Sequence, residues 1–147
     1  MIGTSIARLQ ILCDTIPDLL LNIDEIIFSE KPSNNKWSKK EIIGHLIDSA
    51  VNNHQRFVRA QFEDIPSIIY DQNKWNEYNY YQQIDKLQII SFWAVYNRQL
   101  LQLIKRIPQH KLNARVNIGE AKIATLAFLI NDYVAHLEHH LKQVVQY

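Results

Sequence analysis

Residues 37–48, WSKKEIIGHLID, decide the fold because they contain the clearest helix start in the sequence. Ser38 and Glu41 have the spacing of a capping box, in which the Ser38 side chain accepts from the N–H of Glu41 and the Glu41 carboxylate accepts from the N–H of Ser38. Apolar residues then recur at the 3.6-residue spacing of an amphipathic helix. The pattern predicts a helix that begins at Lys39, or within a residue or two of it, and runs to about Phe62.

Three further segments carry the same helical periodicity. They are Ile6–Ile27, Ile84–Ile107 and Lys122–Val145. Pro17 lies inside the first segment and should kink that helix or restart it. A chain of 147 residues with only three glycines and four prolines has few turn formers for a β-sandwich or barrel. The sequence therefore predicts one all-α domain, residues 1–147, built as a four-helix bundle.

A long connection of about twenty residues separates the second and third helices. It runs from Ile65 to Asp85 and is rich in aromatic side chains, namely Tyr70, Trp75, Tyr78, Tyr80 and Tyr81. Loops of this length are usually functional or disordered, and the aromatic density argues against disorder. We expect these rings to pack against one end of the bundle, with a lid over a ligand as the alternative. A polar connection, from Gln109 to Gly119, joins the third helix to the fourth.

Charge and cysteine content limit the range of functions. The formal net charge is +1, with 16 Lys and Arg against 15 Asp and Glu, so no strong field attracts nucleic acid. Cys13 is the only cysteine and has no partner for an internal disulfide. No apolar stretch reaches the roughly 18 residues of a membrane span. We expect a cytoplasmic protein without a nucleic-acid or membrane partner.

Three histidines are candidates for a metal site. His136 and His140 are four residues apart on the fourth predicted helix, so their side chains project from one face of it. His45 on the second helix can complete the group. Three imidazoles with water in the fourth position make an open site of the catalytic kind. His139 should face solvent, whereas Asp132 lies one turn before His136 and could accept its second ring N–H.

The second helix leaves two interpretations open. His45, Ser49, Asn52 and Arg56 form a polar stripe, which periodicity alone places in water. His54 lies at the centre of the opposite, apolar face, where a buried hydrogen-bonded histidine or a dimer contact is expected. A metal at His45 therefore requires the stripe to line a cleft in the bundle. Otherwise the histidines are ordinary hydrogen-bonded core or surface residues.

Two blocks of the sequence resemble the DinB-like superfamily of metal-binding four-helix bundles. The first, residues 37–57, resembles the family's segment with Trp-Ser or Trp-Thr followed by His-Leu-x-Asp-Ser and Asn. The second, residues 132–143, is similar to its terminal His-x-x-x-His helix. The resemblance implies that His45, His136 and His140 bind one divalent ion, zinc or nickel first, with iron, manganese and copper as further options. It also implies a homodimer.

The family resemblance implies a broad class of function but does not identify the reaction. That class is a metal-dependent hydrolase or a thiol-dependent transferase of the bacillithiol and mycothiol kind, acting on an unidentified small molecule. Beside the metal, Asp48 is a candidate orienting acceptor or base, and Asn52 or Arg56 could orient an anionic or polar group. The alternative is a non-catalytic, stress-associated bundle that keeps the metal for stability or has lost it.

Overall fold

Four long helices and two short ones form the body of the protein in the computed structural model, which describes all 147 residues. The helices are α1 (Gly3–Leu21), α2 (Glu25–Ser29), α3 (Lys39–Arg59), α4 (Gln72–Tyr78), α5 (Lys86–Arg106) and α6 (Leu126–Leu141), with 3₁₀ turns at Tyr81–Gln83 and Gln109–Lys111. An antiparallel hairpin of β1 (Arg115–Gly119) and β2 (Lys122–Thr125) precedes α6. No helix is both long and apolar enough to span a membrane.

The start of α3 is the one predicted from the capping box. The Ser38 Oγ accepts from the Glu41 N–H at 3.0 Å, and the Glu41 carboxylate accepts from the Ser38 N–H at 3.0 Å. Two orphan backbone donors of the first turn are thereby satisfied. The helix begins at Lys39 as expected and ends at Arg59, three residues before the predicted end.

The first predicted helix is two helices, and the break is not at Pro17. α1 continues through Pro17 to Leu21, and α2 begins after Asp24, whose carboxylate accepts from the Ile26 N–H at 2.9 Å. A proline removes the N–H that would bond to the carbonyl four residues earlier. Here that carbonyl, Cys13 O, accepts instead from the Arg98 guanidinium at 2.9 Å. The substitute donor explains why the helix survives the proline.

The predicted start of the last helix at Lys122 is wrong, and the polar connection predicted from Gln109 to Gly119 contains a 3₁₀ turn and β1. α6 begins at Leu126, where Thr125 Oγ1 accepts from the Phe128 N–H at 3.2 Å. The residues before it form the hairpin, whose turn places Gly119, Glu120 and Ala121 at positive φ. Lys122–Thr125 pairs with β1 as β2 and is therefore not part of the helix.

The aromatic connection between α3 and α5 contains α4 and a 3₁₀ turn. Tyr81 is buried against α3 at Gly44, where an added Cβ would lie 2.2 Å from the Tyr81 ring. Tyr78 and Tyr80 are exposed. Tyr81 is therefore one of the predicted rings that packs against the bundle. Its close approach to α3 is possible because Gly44 has no side chain.

α3 is the central element of the fold. It packs against α5, α6, α4 and α2. One continuous apolar core joins the long helices, with Trp93, Phe28 and Phe57 as its largest fully buried side chains. This arrangement directs one side of α3 toward α6 and another toward α5.

Candidate metal centre

The three predicted histidines converge where α3 faces α6. One ring nitrogen from each of His45, His136 and His140 lies within 4.8 Å of the other two, and the Nε2 atoms of His45 and His136 are 3.2 Å apart. Zn–N bonds of about 2.0–2.1 Å in tetrahedral geometry separate two ligand nitrogens by about 3.3 Å. The closest pair already has that spacing. The donor set and its geometry therefore fit a single divalent ion.

The polar stripe of α3 is buried, contrary to what periodicity alone indicates. His45 is only 1% exposed, and Asp48, Ser49 and Asn52 are also buried. The Asn52 amide donates to its own helix at the Asp48 carbonyl, at 2.9 Å. This hydrogen bond reduces the cost of burying the Asn52 amide. Burial of these residues replaces the solvent-exposed position that periodicity alone indicates, and the prediction that the stripe lines a cleft stays a prediction.

Neighbouring side chains hold two of the rings. The Trp37 ring packs on His45 with centroids 4.8 Å apart, and Gln143 Oε1 lies 3.0 Å from His140 Nδ1. An Nδ1–H donated to Gln143 leaves the His140 Nε2 lone pair free for a metal. The Nδ1 of His45 is buried without a partner. Asp132, expected to accept from His136, is exposed and makes no hydrogen bond to it.

Burial keeps the two inner imidazoles neutral. Desolvation, with smaller contributions from the neighbouring histidines, lowers the pKa of His45 to about 3 and the pKa of His136 to about 4. A metal binds the neutral form of histidine, so no proton competes for these nitrogens near pH 7. The cluster is therefore ready to bind a cation over the physiological pH range.

The other two candidate histidines lie outside the cluster. His139 is exposed, as predicted, and only its ring edge approaches His140, with centroids 5.1 Å apart. His54 is half-buried, and its Nδ1 lies 2.7 Å from the Tyr96 hydroxyl of α5. His54 is therefore a hydrogen-bonded packing residue.

None of the three predicted catalytic residues forms a hydrogen bond to the histidines. Asp48 Oδ1 accepts from the Tyr81 hydroxyl at 2.5 Å and from the Asn79 amide at 3.0 Å. Arg56 donates through Nε and Nη2 to the Ile68 carbonyl, and burial lowers its pKa. Its guanidinium thus holds the segment that follows α3. The catalytic roles of Asp48, Asn52 and Arg56 stay predictions.

The cleft nearest to the histidines is lined by residues that contact them and not by the histidines themselves. A cleft of about 560 Å³ includes Trp37 and Gln143 in its wall, the two side chains that touch His45 and His140. The sequence alone identified neither Trp37 nor Gln143 as part of the site. The signal for Gln143 was its position three residues after His140, which is one helical turn. These residues connect the cluster to a space large enough for a small molecule.

The family model for the DinB superfamily matches residues 5–144. This chain belongs to the DinB superfamily. A protein of Halalkalibacterium halodurans named "Putative metal-dependent hydrolase" is 23% identical over 129 residues, covering 87% of this chain and 75% of that protein. The expected family is confirmed.

Solved structures show the same fold. YfiT from Bacillus subtilis, described as a probable metal-dependent hydrolase with an unusual four-helix bundle topology, superimposes with a TM-score of 0.85 at 19% identity and covers 96% of this chain and 82% of that one. A mycothiol-dependent maleylpyruvate isomerase gives a TM-score of 0.77 at 10% identity, covering 96% of this chain and 60% of the isomerase. The four-helix bundle is thus confirmed.

Proposed function

We propose that this protein is a metal-dependent enzyme, a hydrolase or a thiol-dependent transferase, that acts on a small molecule. The single observation that carries the proposal is the convergence of three imidazole nitrogens within 4.8 Å of one another, with the deepest of them, on His45, almost wholly buried. The names of the relatives support the same class.

His45, His136 and His140 would hold one divalent ion, with zinc or nickel as first choices and iron, manganese and copper as further options. When bound, the ion supplies a Lewis acid that polarises a substrate bond and lowers the pKa of a bound water or thiol. Three protein ligands leave a coordination position for that group. Two neighbouring side chains would position the ligands. Trp37 would hold the ring of His45 by packing on it, and Gln143 would set the tautomer of His140 by accepting from its Nδ1–H.

The substrate would enter through the cleft beside Trp37 and Gln143. Asn35 and Asn73 line the same cleft and offer amide donors and acceptors to a polar ligand. A hydrolase would use water as its nucleophile, and a transferase would use the thiolate of a low-molecular-weight thiol. Both reactions need the same ligand set.

A matched pair of variants tests the proposal. Metal-loaded wild type is assayed against 4-nitrophenyl esters for hydrolysis and against an aryl halide with added low-molecular-weight thiols for transfer. Substituting His136→Ala removes a metal ligand and should lower the rate by about 100-fold or more. His139→Ala removes the exposed neighbour and should leave the rate within about twofold of wild type.

Two results would overturn the proposal. Equal rates in wild type and His136→Ala would show that any activity is independent of the histidine cluster. A fully metal-loaded wild type with no activity in either assay across broad panels of esters, amides and electrophiles would favour the non-catalytic bundle.

A further inference from the structure

A second cavity lies on the other side of α3, between α3, α4, the 3₁₀ turn and α5. Its volume is about 350 Å³, within the range of small-molecule sites. None of the three histidines lines it. On α3 its wall is formed by Ile47, Asp48 and Val51, and it shares no lining residue with the cleft beside Trp37 and Gln143. This cavity is separate from the cleft at the metal centre.

The wall of the cavity is mainly apolar and aromatic. Seven of its ten residues are apolar or aromatic, among them Ile47, Val51, Trp75 and Phe92, and Asp48 is one of the three polar residues. Phe92 is 40% exposed, so the cavity is reached from solvent at the α5 side. Aromatic faces and aliphatic side chains around a few polar atoms suit a small ligand with an apolar body.

Asp48 is the only charged residue in this wall. It is 1% exposed, and its Oδ1 accepts from Tyr81 and Asn79. Its Oδ2 is buried and has no hydrogen-bond partner. The five ion pairs of the structure do not include Asp48. A buried carboxylate with a free oxygen and no cation is costly to maintain, so a ligand that supplies the missing donor would be stabilised there.

From this combination we propose that the cavity is a second ligand site, which binds a small organic cation with an apolar body, such as an arylalkyl primary amine, through an ammonium N–H donated to Asp48 Oδ2. The aromatic rings of Trp75 and Phe92 favour a cation over a neutral ligand of the same shape. The apolar body packs against Ile47 and Val51. The site does not depend on a metal, and the inference stands apart from the proposed function.

The charge state of Asp48 agrees with this assignment. Burial raises the pKa of Asp48 to about 6, while the hydrogen bonds from Tyr81 and Asn79 oppose that rise. At pH 7 the carboxyl group is mainly ionised. The ligand therefore meets a negative charge that no protein cation neutralises.

The test is isothermal titration of the full chain at pH 7 with 2-phenylethylammonium, compared with the neutral 2-phenylethanol. Saturable binding of the ammonium ion is expected, at least about tenfold tighter than binding of the alcohol. Substituting Asp48→Asn keeps the shape but removes the charge, and should abolish this preference. Val51→Phe fills the cavity from a different wall residue and should weaken both ligands by about tenfold or more.

Two controls distinguish this site from the metal centre and from misfolding. Binding should be unchanged in His136→Ala, because an amine bound to a metal at the histidines would be lost in that variant. Circular dichroism should show wild-type helical content and a cooperative thermal transition for Asp48→Asn and Val51→Phe, and if one variant does not fold the other still tests the site. Equal binding of the two ligands to wild type, no saturable binding of the ammonium ion, or loss of binding in His136→Ala would each overturn the proposal.

Discussion

Asp48 shows how a single buried residue can give the protein a pH-dependent stability. Its pKa is raised by burial to about 6, so the folded protein holds this proton more tightly than the unfolded chain, where an aspartate has a pKa of about 3.9. The contribution of Asp48 to stability is therefore fully present below about pH 4 and lost as the pH rises through about 6.

Substituting Asp48→Asn should remove this dependence. The free energy of unfolding of the variant minus that of wild type is expected to increase between about pH 4 and pH 7, because wild type alone loses the contribution. Urea unfolding of chelator-treated protein at several pH values measures the difference. Asp18→Asn, at an exposed site, is the control and should show no such trend. A flat difference for Asp48→Asn would contradict the raised pKa.

His45 shows which part of the candidate site could not be predicted from the periodicity of its own helix. The spacing of four between His136 and His140 was enough to place both rings on one side of α6, because helical geometry is local. The burial of His45 was not predictable from periodicity, which put its polar stripe in water. The burial results from the packing of α3 against α6 and of Trp37 on the ring, and only the family resemblance selected His45 at the level of sequence.

At the scale of elements, α1 depends on a donor from another helix. The Arg98 guanidinium of α5 bonds to Cys13 O, the carbonyl that Pro17 leaves without a partner, and also forms a surface ion pair with Asp14. Arg98→Met should lower the free energy of unfolding by about 1 kcal/mol, mainly through the carbonyl. Chemical denaturation measures this loss.

A double variant identifies the cause. In Pro17→Ala/Arg98→Met the new N–H at position 17 can bond to Cys13 O, so part of the loss should be recovered. Arg106→Met is the matched control, because Arg106 bonds only to Gln102 of its own helix. A cost for Arg98→Met no larger than that of the control would contradict the role given to Arg98.

The elements that sequence predicted best are those with local signals. The capping box of Ser38 and Glu41 gave the first residue of α3 because both hydrogen bonds lie within one turn. The hairpin was missed because Ile123 and Ala124 also fit a helical stripe, whereas their strand forms only by pairing with Val116 and Asn117. A short strand depends on a partner that no local pattern reveals.

At the scale of the whole molecule, the homodimer expected from the family resemblance stays a prediction. α5 carries exposed apolar side chains at Leu87 and Val95, with Val95 68% exposed. Burying such a face in a symmetric contact is favourable. Light scattering coupled to size exclusion should give the mass of a dimer, and Val95→Glu should shift it toward the monomer. A monomeric wild type at high concentration would exclude this expectation.

The convergence of His45, His136 and His140 and the similarity to relatives named as metal-dependent hydrolases both point to a metal, and burial keeps two of the imidazoles neutral and able to bind it. The central claim is therefore that these three residues bind one divalent ion. The direct measurement is metal content by elemental analysis of untagged protein, supplemented with zinc, nickel or manganese, for wild type and His45→Ala. About one equivalent in wild type and almost none in a folded His45→Ala is the expected result. No metal in wild type after supplementation, or equal metal in both proteins, would contradict the claim.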